Sequence, residues 1–107
     1  MSLNMLSEFD SHPDDEEVHS TDLTVTDDVL LKAVALGPGA EVEPHTYSDA
    51  TNVFHIMRGT LTIKQGSEEE RITAPGTVLS ERGQLHGARN EGTEVAVMTV
   101  SLCPLPE

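Results

Sequence analysis

Short strand-like segments, eight to ten of them at spacings of roughly 8–12 residues and separated by turn signals, leave this chain little choice of fold. The turns fall at Gly37-Pro38-Gly39, Ser48-Asp49-Ala50-Thr51, Gly59, Gly66, Ala74-Pro75-Gly76, Gly83 and Asn90-Glu91-Gly92. Between them lie Leu23–Thr26, Leu30–Leu36, Val42–Tyr47, Asn52–Arg58, Thr60–Lys64, Arg71–Thr73, Thr77–Ser80, Gly83–Arg89 and Glu94–Leu102. Thr60–Lys64 alternates cleanly, as a half-buried strand does. Glu94–Leu102 is apolar on both faces, so one face lines a core and the other needs a cover. No segment carries helical periodicity. The expected class is all-β, a small barrel or sandwich, because closure removes the exposed edges of a small open sheet.

A chain of 107 residues has room for one domain. The aromatic residues are Phe9, Tyr47 and Phe54, with no Trp, so the core must come from Val, Leu, Ile, Met and Ala. No apolar run approaches the ~20 residues of a bilayer-spanning helix, and no membrane role is expected. Cys103 stands alone, which excludes a disulfide framework.

The formal net charge is −13, and it is uneven. Residues 1–28 hold nine carboxylates and no Lys or Arg. Nucleic acid is not an expected partner, since phosphate binding needs a basic face. Residues 1–22 read as an acidic, largely flexible arm, residues 23–103 as the barrel, and 104–107 as a tail. Met1-Ser2-Leu3 ahead of Met5 reads as a vector scar, without the basic and apolar regions of a signal peptide; the default location is cytoplasmic. High Asp and Glu with only Lys32 and Lys64 fits salt adaptation or an ordinary acidic protein equally well. The run from His12 to His19 reads as a solvated arm rather than a cation site.

One constellation carries chemistry. Gly39, His45, Tyr47, Asn52 and Gly59 are followed by Gly83, His86 and Asn90. Residues i and i+2 of a strand share a face, so His45 and Tyr47 should point together into a barrel mouth. Asn52 and His86 can join them from neighbouring strands. His55, three residues past Asn52, should face outward, and so should Arg89, three past His86.

The spacing resembles that of the cupin family, whose first motif is G-x5-H-x-H-x3,4-E-x6-G and whose second is P-x-G-x2-H-x3-N. The resemblance spans about residues 30–102 and implies a double-stranded β-helix, or jelly roll. Metal-binding cupins use three His and one Glu for Fe, Mn, Ni, Cu or Zn. Here His45 and His86 keep two of those positions, Tyr47 replaces the middle His, and Asn52 replaces the Glu. Glu81 stands where the second motif has Pro. Two readings stay open. In one, His45, Tyr47, Asn52 and His86 bind a small polar molecule without metal. In the other, His45 and His86 hold a divalent metal in a dioxygenase, isomerase or decarboxylase acting on a small organic acid or sugar, with Tyr47 as catalytic acid or base. A homodimer is the expected cover for the last strand.

Overall fold

The structure, a computed structural model, describes residues 12–104. The reading of residues 1–3 as a scar, the arm up to residue 11 and the tail from residue 105 lie outside the described residues.

Nine strands form: β1 (Val18–Val25), β2 (Leu30–Leu36), β3 (Glu41–His45), β4 (Thr51–Arg58), β5 (Thr60–Gln65), β6 (Glu68–Thr73), β7 (Gly76–Ser80), β8 (His86–Arg89) and β9 (Ala96–Cys103). They make a five-stranded sheet in the order β1-β2-β9-β4-β7 and a four-stranded sheet in the order β3-β8-β5-β6. Every pairing is antiparallel. Non-consecutive neighbours such as β2-β9 and β3-β8 give the wound order of a jelly roll.

Alternation places the core. Phe54 and Ile56 of β4, Met98 and Leu102 of β9, and Leu36 of β2 meet Leu61 and Ile63 of β5 in one buried cluster between the sheets. Each such large side chain contributes about 1.5–3 kcal/mol by leaving water. Gln65, on the inner face of β5, reaches across to β7, donating to the Leu79 carbonyl at 2.7 Å and the Ser80 hydroxyl at 3.2 Å. That side chain ties one sheet to the other where ladder bonds do not.

Four details depart from the sequence expectations. Residues 18–22, assigned to the arm, belong to β1, where His19 pairs with Ala35 and Asp22 with Lys32. Backbone pairing to an apolar edge outweighs the polarity of the segment. The polar stretch after Gln65 narrows to a tight turn at Gly66 (φ +59°), and Glu68–Glu70 are already paired in β6. Strand β8 begins at His86 rather than Gly83, whose φ of +80° belongs to a turn. Strand β3 stops at His45, because Pro44 and a register shift between Val42 and His45 break the ladder. Tyr47 is therefore not a strand residue, and strand alternation does not explain where its ring goes.

Candidate functional site

The site sits at one end of the interior, where β3 and β8 meet. His45 and His86 are register partners on those two strands. Their ring centroids lie 4.5 Å apart. The chain past β3 swings Tyr47 back over the pair, 5.1 Å from the His45 ring and stacked at 5.7 Å on His86. Phe54 closes the far side of His86, edge-on at 5.8 Å. The four sequence candidates are thus brought to one place, three as a ring cluster and Asn52 on the wall of the same cavity.

That cavity holds about 210 Å³. Its apolar lining includes Val34, Phe54, Met98, Val100 and Leu102. Its polar lining is Ser20, Lys32, His45, Tyr47 and Asn52. Not one carboxylate lines it, in a chain with 19 of them.

Gly87, next to His86, explains how close the strands come. A side chain there would meet the Val42 carbonyl at 2.9 Å and the Pro44 backbone at 3.1 Å. Only a residue without Cβ lets β8 press against β3 at this point.

The hydrogen bonds define the electronic state of both imidazoles. Nδ1 of His45 lies 2.7 Å from the Glu43 carbonyl, and Nδ1 of His86 lies 3.0 Å from the Gln84 carbonyl. A carbonyl only accepts, so each Nδ1 carries a proton, and in the neutral ring Nε2 is the atom left with a lone pair. Burial pushes the His86 pKa below the ordinary histidine value; the bond to Gln84 works against this, and a charge on His45 would add to it. His86 is therefore neutral at pH 7.

Three buried polar atoms here have no partner: Nε2 of His86 and both Oδ1 and Nδ2 of Asn52. Both residues are only 1 % exposed. An unpaired buried polar group costs about 1–3 kcal/mol. Asn90, equally buried, shows the contrast: its amide donates to the Leu36 and Glu94 carbonyls at 3.0 and 2.7 Å and accepts from the Gly92 amide at 2.9 Å. Asn90 holds the fold together; Asn52, in the cavity wall, and His86, in the ring cluster beside it, are left with unpaired atoms.

Two Nε2 lone pairs suit a transition metal, but the remaining donors do not. Asn52 is neutral, Tyr47 is a phenol, and the Lys32 side chain brings a positive charge to the same cavity. Among the described residues no three His, Cys, Asp or Glu side chains converge on a point where an ion could sit. The residues present make a poorer donor set for a divalent cation than three imidazoles and a carboxylate.

The other sequence candidates fall away from the cavity. His55 is exposed on β4. Arg89 points outward into a two-pronged ion pair with Glu69, at 2.7 and 2.9 Å. Cys103 is the exposed last residue of β9, and Glu81 is exposed. Sequence reasoning missed Lys32. The signal was present: one lysine in the centre of the otherwise apolar LLKAVAL strand.

Comparison with known proteins agrees with this architecture. The family model described as a cupin domain matches residues 33–103. A crystal structure from Thermus thermophilus superposes with a TM-score of 0.91 at 23% identity, covering 99% of this chain and 100% of that one. KdgF from a Halomonas species gives 0.84 at 16%, covering 100% and 96%. A predicted oxalate decarboxylase from Thermotoga maritima gives 0.78 at 18%, covering 82% and 81%. Among curated proteins, the tetracenomycin polyketide synthase protein TcmJ of Streptomyces glaucescens is 26% identical over 76 residues, which is 71% of this chain. The chain spans about half the length of that relative.

Proposed function

Since the chain belongs to the cupin domain family, we propose that it binds a small polar organic molecule in the barrel end formed by His45, Tyr47, Asn52 and His86. One observation carries this reading: the fully buried Asn52 carboxamide has neither polar atom paired and lies in the wall of a cavity, beside the ring cluster in which His86 Nε2 is likewise unpartnered. Those atoms ask for hydrogen bonds that the protein itself does not supply. Asn52 offers one acceptor and two donor hydrogens; His86 Nε2 offers a lone pair. Tyr47 can donate or accept beside them. No metal is required for this binding.

A second reading has one observation in its favour. Both imidazoles are held by backbone carbonyls in the tautomer that a metal ligand needs. On that reading the chain is a metal-dependent enzyme of dioxygenase, isomerase or decarboxylase type, acting on a small organic acid or sugar. The relative described as a predicted oxalate decarboxylase lends it some weight.

Elemental analysis separates the two. Protein purified without a nickel column, then supplied with Fe, Mn, Zn or Cu, should hold no stoichiometric metal on the first reading. Small polar molecules should then raise the unfolding midpoint of the metal-free protein, by the amount that binding to the native state alone requires. His86→Ala should abolish that rise. Stoichiometric metal, lost in His45→Ala and His86→Ala, would establish the second reading.

A further inference from the structure

The charge pattern of the cavity narrows the ligand. Lys32 sits on β2 between Leu30 and Val34, both packed with the core cluster, and lines the same cavity as His45, Tyr47 and Asn52. It is half-buried and makes no ion pair with any described residue, although Asp22 is its register partner on β1. An ammonium beside an apolar wall is well placed to meet an anion brought by a ligand. Every carboxylate among the described residues is absent from the lining, while the surface is rich in them.

We propose that the cavity takes a small monocarboxylate with a compact apolar body and a hydroxyl group, its carboxylate held by Lys32 and its hydroxyl by the Asn52 carboxamide beside Tyr47. This rests on the small-molecule reading above and gives it a substrate class. Each part has its own support. The anion follows from the single cation in a carboxylate-free cavity. One negative charge is matched; a second would sit against Phe54, Met98 and Val100 with nothing to pair it. The apolar body follows from those same side chains. The hydroxyl follows from the Asn52 carboxamide, whose unpaired oxygen needs a donor and whose unpaired NH2 needs an acceptor, both of which a hydroxyl supplies. The size follows from 210 Å³, the space of about seven waters at ~30 Å³ each.

A nuclear magnetic resonance titration tests this. The probes are 4-hydroxybenzoate and 3-hydroxy-3-methylbutyrate, each beside its primary amide, which keeps the shape and removes the charge. Binding is read from the Asn52 side-chain amide resonances. In the wild-type protein each acid should bind at least tenfold more tightly than its amide, as a charge-assisted bond warrants. In Lys32→Met that ratio should fall to about twofold or less. Added 1 M NaCl should weaken the acids and leave the amides alone. Equal affinity of acid and amide for the wild type overturns the assignment of Lys32, as does a preference that survives in Lys32→Met. In either case amide binding at Asn52 would leave the small-molecule reading standing. If neither acid nor amide moves the Asn52 resonances, both readings fall. Should Lys32→Met not fold, the wild-type ratio and its salt dependence still decide.

Discussion

His45 and His86 face each other across the β3-β8 ladder, and each ties its Nδ1 to the carbonyl two residues before it. The two tethers, at 2.7 and 3.0 Å, place a proton on each Nδ1. Burial holds the His86 pKa below the ordinary histidine value, so long-range ¹H–¹⁵N spectra at pH 7.5 should show a protonated Nδ1 and a bare Nε2 on His86. A protonated Nε2 on His86 would remove the acceptor on which the site depends.

Asn52 is the residue whose loss should cost the fold least and the site most. Its carboxamide is buried with neither polar atom paired. Replacing such a group by an apolar one of similar size recovers the desolvation penalty. Asn52→Leu should leave stability unchanged or raise it by about 1–3 kcal/mol, measured by urea unfolding with an unchanged m value. Binding of the hydroxy acids should disappear in the same variant. A loss of more than about 1 kcal/mol would mean that the carboxamide is paired in solution.

Asn90 should behave in the opposite way. Its two donor hydrogens both go to carbonyls, of Leu36 and Glu94. Asn90→Asp puts a carboxylate against two carbonyl oxygens in a buried place, which should cost about 3–5 kcal/mol at pH 7. Burial raises the pKa of the new carboxyl above its unfolded value of about 3.9. The deficit relative to the wild type should therefore grow as pH rises from about 4 through that raised pKa. Urea midpoints at pH 5 and pH 7 check this. A deficit identical at both values would show that the carboxyl reaches water.

The fold was readable because turns and alternation are local. Gly59 at φ +79° and Gly39 at φ +80° sit where the chain reverses, and no tertiary information is needed to see them. The inward set of β9 (Ala96, Met98, Val100, Leu102) follows from a period of two. The site was readable in part for the same reason, since spacing placed His45, Asn52 and His86. Tyr47 reached its place by another route: β3 ends at His45, and a bend rather than a strand brings the ring back. Lys32 was not recognised, because its inward direction depends on which face of β2 turns toward the β3-β8-β5-β6 sheet. A strand that is apolar on both faces does not reveal that by itself. The start of β1 at Val18 was hidden likewise: its residues are polar, and what orders them is the edge of β2.

Burial makes His86 a source of acid sensitivity. Its pKa in the folded state is lowered, first by desolvation, while in the unfolded chain it returns to about 6.5. Below pH 6.5 the unfolded chain takes up a proton that the native site resists. Stability is thus fully present above pH 6.5 and is lost as pH falls toward the lowered native value, with a slope of at most about 1.4 kcal/mol per pH unit from this one group. His86→Gln removes the titrating ring, so the variant should lose less stability than the wild type between pH 7 and pH 5. Paired urea titrations at the two pH values give the difference directly. Parallel losses in the two proteins would place the acid sensitivity elsewhere and show that the His86 ring stays within reach of solvent.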